Sequence, residues 1–192
     1  ACLMSLLESA VEGKTTAAME QVALKEGVSP EFVREGIAEG TIVLLGSSRR
    51  QNVQPVGIGK GLKTKVSASI GLYGEESSID AEVDKICAAV EAGTDTIMDL
   101  SVSGDIDQML KKTLETTTTP VGTLPLYQAL AEAGRKHGSS TRMEAEELFE
   151  VIERHAALGV DFLALHCGMT MSVVERAKNT KRLDPLVSYG GS

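Results

Sequence analysis

The chain has 192 residues, 42% apolar and 24% charged, which suffices for one domain with a buried core. A net charge of −8, from 19 basic and 27 acidic residues, argues against a nucleic-acid partner, because phosphate backbones require a basic face. No apolar run reaches the ~18 residues of a membrane span. The apolar start, residues 1–11, lacks a basic beginning, carries Glu8 and is followed by Glu12, so it is not a signal peptide. Met4 reads as the natural start.

The first 40 residues read as helical. Thr15 and Thr16 cap a helix over 17–25 that Gly27 closes, and Ser29-Pro30-Glu31 starts another over 31–39, ending at Gly40. Residues 41–45 form a β run. Residues 46–61 read as a loop whose glycines, Gly57, Gly59 and Gly61, make a plain turn, lacking the context of a phosphate-binding fingerprint. Its basic cluster, Arg49 and Arg50, reads as a solvated loop, with a phosphate contact as the other reading. A strand–helix rhythm follows: strand 66–70; a helix from Ser78 with Ile79, Val83, Ile86 and Val90 on one stripe; strand 94–100; helix 105–116 with Ile106, Met109, Leu110 and Leu114 inward. Strand 120–124 and helix 126–136 come next. Helix 141–158 is capped by Thr141, with Glu144 at the capping-box position. Strand 161–166, helix 172–178 and a strand opening at 186–188 complete the chain.

Strands that alternate with helices at this spacing imply a parallel sheet, and their two-sided apolar character fits buried parallel strands. An internal repeat recurs before two strands: Glu91-Ala92-Gly93-Thr94-Asp95 and Ala157-Leu158-Gly159-Val160-Asp161. A helix end, Gly, one residue and Asp before an apolar strand is a unit of βα barrels. The fold class is therefore α/β, a (β/α)₈ barrel represented here by about five βα units. Residues 1–62 form a small helical and β segment before it, and residues 63–192 the partial barrel.

Working residues of such barrels stand where strands end. Those positions are Ser69, Met98 and Asp99, Tyr127, His166 and Cys167, and Ser188 with Gly190 and Gly191. Met98 reads first as core filler, Cys167 as a small buried filler, and Asp99 equally as a base or as an acceptor for loop N–H groups. His166 follows an unbroken apolar run and is placed to meet a ligand. The glycine turn after Ser188 can offer N–H groups to a phosphate. Cys2, Cys87 and Cys167 are too widely spaced for a disulfide framework or a metal site and suit a reducing cytoplasm. Without tryptophan and with 3% aromatic residues, the chain lacks platforms for stacking sugars or single-stranded nucleic acid.

Five segments in one order carry a resemblance: residues 35–43, 57–66, 96–101, 120–129 and 159–168. So arranged, the chain resembles the phosphomethylpyrimidine synthase family, including its paralogue 5-hydroxybenzimidazole synthase, over about residues 13–192. The resemblance implies a barrel enzyme, usually a homodimer, of the radical S-adenosylmethionine type. It implies a [4Fe–4S] cluster and a deoxyadenosyl radical that rearranges aminoimidazole ribotide. It places substrate contacts on Ser69, Met98, Tyr127, His166 and the loop of Ser188, Gly190 and Gly191, with the phosphate on that loop and Asp99 in support. The family's cluster cysteines, its acidic substrate contacts and its zinc-like two-histidine site belong to barrel units outside this chain.

The sequence departs from the family's pattern in three places. The first strand reads Ser67-Ala68-Ser69-Ile70-Gly71 where asparagines are usual, and Gly46-Ser47-Ser48-Arg49-Arg50 replaces an asparagine-rich loop. Tyr189 stands where an arginine usually follows the serine, removing a charged phosphate grip of about 1.5–3 kcal/mol. Two function classes follow. One is a radical enzyme acting on aminoimidazole ribotide, leaning toward 5-hydroxybenzimidazole over phosphomethylpyrimidine. The other is a non-catalytic half-barrel paralogue that binds a ribotide or a partner chain. An unrelated barrel aldolase needs a lysine at a strand end, whereas Lys65 stands at a strand start.

Overall fold

The computed structural model describes residues 5–74 and 76–187. Three short helices open the chain, each started by an oxygen that accepts an otherwise orphan N–H. Ser5 caps α1 (Leu6–Val11) with Glu8 returning to its N–H, Thr16 caps α2 (Ala17–Glu26), and Ser29 caps α3 (Pro30–Ala38). Their inward faces (Ala10, Met19, Val22, Ala23, Val33 and Ile37) meet Ile42 in one apolar cluster. Ile42 begins β1 (Ile42–Leu45), which pairs antiparallel with β2 (Val56–Gly59). The expected 46–61 loop therefore contains a strand. Its two glycines, Gly57 and Gly59, hid it, yet both are required: a Cβ at either would fall within 3 Å of its neighbours.

The second part is a four-stranded parallel sheet in the order β3 (Ser67–Ile70), β4 (Thr96–Asp99), β5 (Val121–Thr123), β6 (Phe162–Leu163). Helices α4 (Ile79–Glu91), α5 (Ile106–Thr116), α6 (Pro125–His137) and α7 (Ala145–Leu158) connect the strands or lead into them, and α8 (Met171–Lys178) follows. Register and burial divide the strand residues into two faces. Ala68, Ile70, Ile97, Val121 and Leu163 pack into one core with Ile86 of α4 and Met109 and Leu110 of α5. Burying each of the larger side chains contributes about 1.5–3 kcal/mol. The opposite face carries Ser69, Met98, Gly122 and Phe162 side by side in one row. The strands follow one another in sequence order across the sheet, unlike a doubly wound sheet with its reversed strand order.

Some expected elements differ. The α4 stripe runs through Ile79, Glu82, Ile86 and Ala89, while Val90 is exposed. Thr141 does not cap α7. It lies in a single 3-10 turn (Ser140–Arg142), Met143 is extended, and the helix starts after Glu144, whose N–H donates to Glu147. Strand 161–166 is shorter than expected: β6 covers only Phe162–Leu163, Ala164 N–H still donates to Thr123 O, and β5 gives way to α6 there. At the expected fifth strand, Leu186 and Val187 are irregular, and residue 188 lies outside the described residues.

The repeated Gly-x-Asp has a structural cause. Asp95 accepts the Val66 N–H (2.8 Å) and Asp161 the Val121 N–H (2.8 Å), so each caps the start of the preceding strand. Each also reaches a cation from the N-terminal segment. Lys25 stands 3.9 Å from Asp95, and Arg50 pairs directly with the fully buried Asp161. Arg50 further donates to the carbonyls of Leu114, Thr117 and Thr119. It is an internal strut, neither a solvated loop residue nor a phosphate ligand.

Candidate functional site

The C-terminal ends of the parallel strands gather most of the expected residues. Ser69, exposed, and Met98, half-buried, are register partners on the sheet face opposite the helix core. Tyr127 comes from the first turn of α6, directly after β5, and His166 lies just beyond β6 on the neighbouring strand. Both are half-buried, and their rings stand 6.0 Å apart, tilted by 30°. Ser188, Gly190 and Gly191, the expected phosphate loop, lie outside the described residues, as does Tyr189. Cys167 is exposed, which corrects its reading as buried filler, and so is Cys87.

Asp99 lies on the other face of β4, toward the helices. It is 4% exposed, and burial pushes its carboxyl up, aided by the Glu82 charge and opposed by its hydrogen bonds from Ser101. Oδ1 accepts the Ser101 N–H (3.0 Å) and hydroxyl (2.6 Å), and the Ser101 oxygen in turn accepts the Leu72 N–H (2.9 Å). The turns after β3 and β4 are thereby joined. Glu82, 3% exposed, holds the same turn by accepting the Gly71 N–H (2.9 Å) while Lys85 reaches its other oxygen.

A buried polar chain beside Asp99 escaped the sequence reading. Thr123 Oγ1 lies 2.8 Å from His155 Nδ1, and His155 Nε2 lies 2.8 Å from Gln128 Oε1. Gln128 Nε2 donates to Asp107 (2.8 Å) and Glu132 (2.9 Å), and Arg154 pairs with both carboxylates. Burial and the adjacent Arg154 charge depress His155 to about 4, so it is neutral. The sequence held one signal: Thr123 stands at a strand end, four residues before Tyr127.

The radical SAM ThiC family matches residues 5–192. The chain belongs to that family. It is similar to 5-hydroxybenzimidazole synthase BzaA of Moorella thermoacetica, with 71% identity, and to the same-named enzyme of Eubacterium limosum, with 55%. It is 48% identical to phosphomethylpyrimidine synthase of Desulforamulus reducens. Each match covers 98% of this chain and 44% of the relative, so the chain spans less than half the length of these curated relatives. Among the described residues no group of three or more His, Cys, Asp or Glu could hold a metal. Cys87 on α4 and Cys167 beyond β6 are single exposed thiols, and so they do not fit a [4Fe–4S] cluster, which needs several thiolates together. No helix among the described residues is long and apolar enough to cross a membrane.

Proposed function

We propose that this chain forms the ribotide-binding part of a radical S-adenosylmethionine enzyme that converts aminoimidazole ribotide to 5-hydroxybenzimidazole. The observation that carries the reading is the identity gradient: 71% and 55% to two 5-hydroxybenzimidazole synthases against 48% to a phosphomethylpyrimidine synthase, all over the same 98% of the chain. In this reading the parallel sheet is a segment of a closed (β/α)₈ barrel, with residues 1–62 as its N-terminal extension and 63–192 as the barrel part. The row of Ser69 and Met98 faces the barrel interior. His166 orients the imidazole or its amine, Tyr127 closes over the ribose, and the loop of Ser188, Gly190 and Gly191 takes the phosphate. Asp99 supports the rim from behind. S-adenosylmethionine and the cluster would supply the radical from outside the described residues. A homodimer, or pairing with a C-terminal half, would complete the site.

The test is an anaerobic incubation of the intact protein carrying this sequence with aminoimidazole ribotide, S-adenosylmethionine and a reductant, with products identified by mass. 5-Hydroxybenzimidazole is expected. Phosphomethylpyrimidine instead would move the chain to the other branch, and ribotide binding without turnover would favour a non-catalytic paralogue. His166→Ala is expected to weaken ribotide binding at least tenfold in calorimetry, and an unchanged affinity would remove His166 from the site.

A further inference from the structure

Asp99 Oδ2 is buried and has no hydrogen-bond partner, although Oδ1 of the same carboxyl has two. It borders a partly open pocket of about 10 Å³, lined by Ser101, Ile106, Leu110, Thr123, Leu124, Gln128 and His155, which admits at most one water. A buried carboxylate oxygen left bare is costly, so the donors around it decide its state. The surrounding hydrogen bonds run in one direction. Gln128 gives its amide protons to Asp107 and Glu132, so its Oε1 must accept, and His155 Nε2 must carry a hydrogen. Neutral His155 then accepts at Nδ1, which commits the Thr123 hydroxyl hydrogen to it. The Ser101 hydroxyl is committed to Oδ1, and the side chains of Ile106 and Leu110 have nothing to donate. The side-chain donors bordering the pocket are therefore spent elsewhere, while the oxygen of Thr123, Asp99's register partner on the next strand, still has a lone pair.

We propose that Asp99 is a carboxylic acid in the folded protein, and that its Oδ2–H heads a one-way relay to Thr123, His155 and Gln128, given to Thr123 directly or through the one water the pocket admits. The acid is a positioning residue. Through Ser101 and Leu72 it holds the turns after β3 and β4, which follow Ser69 and Met98. Through Thr123, His155 and Gln128 it holds the first turn of α6, which carries Tyr127. This positioning role rests on the proposed ribotide site, whereas the proton assignment does not.

The charged groups around the relay fit this assignment. Glu82 from α4 adds negative charge near Asp99, with Lys85 paired to it; Asp107 from α5, Glu132 from α6 and Arg154 from α7 surround His155. Burial pushes Asp99 up and holds His155 down, so the proton belongs on the carboxyl. The folded Asp99 binds its proton more tightly than the unfolded chain does. Its contribution to stability is therefore complete below the ordinary carboxylate range, about 4, and is lost as pH rises toward the raised folded value.

The experiment is infrared difference spectroscopy of the intact protein at pH 7, paired with ¹⁵N NMR of His155. A protonated-carboxyl C=O band is expected that disappears in Asp99→Asn and moves in Thr123→Val, with His155 bearing hydrogen on Nε2 only. Asp99→Asn, whose amide donates where the acid did, is expected to fold, and to lose less stability than the wild type as pH is raised from 5 to 9. A carboxylate signal at Asp99 with a doubly protonated His155 would overturn the assignment, and so would equal alkaline losses in the two proteins. Ribotide titrations separate the two layers. If the wild type binds ribotide and Thr123→Val binds it equally well, the positioning role fails while the proton assignment stands on its spectra; if the wild type does not bind at all, the site reading fails first.

Discussion

His155 sits on the buried stripe of α7 with Val151, four residues before the helix-ending Gly159, a position that in sequence reads as an ordinary helix surface. Its effect on stability has a definite sign. Unfolded, the imidazole titrates near 6.5; folded, burial and Arg154 hold it to about 4. The folded protein therefore gains stability above about 6.5 that is lost as pH falls from 6.5 toward 4, amounting to roughly 3 kcal/mol by linkage. His155→Gln can still accept from Thr123 and donate to Gln128 but has no proton to take up. Urea unfolding at pH 7 and pH 4.5 is expected to show a clearly smaller acid loss in the variant, and parallel losses would refute His155 protonation as the cause. At this scale, residues whose partners are local were legible: the Ser29 cap and the inward Met109 and Leu110 were readable from spacing alone. Arg50 was not, because its carboxylate partner stands 111 residues away and nothing near it in sequence marks it for burial.

Among the elements, long amphipathic helices such as α5 were readable because 3.6-residue periodicity persists through three turns, while the short strands were bounded by tertiary contact. β2 was lost among glycines, and β6 stops where β5 yields to α6, which no local pattern announces. Within the parallel sheet, Gly122 has no room for a side chain. A Cβ there would lie 2.3 Å from the Phe162 ring, its register partner on β6. Gly122→Ala is thus expected to cost about 1–3 kcal/mol by overpacking. Phe162→Val should open space for the methyl group, so the double variant is expected to be more stable than the sum of the single losses. A double-mutant cycle by chemical denaturation measures this. Strict additivity would mean that the ring does not set the space at Gly122, and with it the spacing of β5 and β6 beneath Tyr127 and His166.

Across the whole molecule, the sequence correctly implied an α/β chain with a parallel sheet, because alternating strands and helices leave little other choice. It did not reveal how the N-terminal segment grips that sheet. Among the described residues, one apolar cluster is centred on Met19 and Val33 and another on Ile97 and Val121. They are joined at the N-terminal ends of the strands by polar contacts: Ser47 N–H to Asp161 (2.6 Å), Gln54 N–H to Thr118 O (2.9 Å), Lys65 to Glu26 (2.8 Å), and the Arg50 strut. In the Arg50–Asp161 pair the carboxylate is fully buried. Removing the cation strands a carboxylate with only two backbone donors and leaves three carbonyls without their guanidinium, a loss of about 3–5 kcal/mol. Arg50→Met keeps much of the aliphatic bulk while removing the charge and its hydrogen-bond donors. Native-state hydrogen exchange then reads the coupling. In the wild type, the slowest amides around Met19 and Val33 are expected to open together with those around Ile97 and Val121. In Arg50→Met the first group is expected to open at lower free energy while the second keeps most of its protection. If both groups lose protection equally, the two clusters are one cooperative core, and the strut is merely one of its contacts; if neither changes, the buried pair contributes nothing net and the backbone contacts at Ser47 and Gln54 hold the segment.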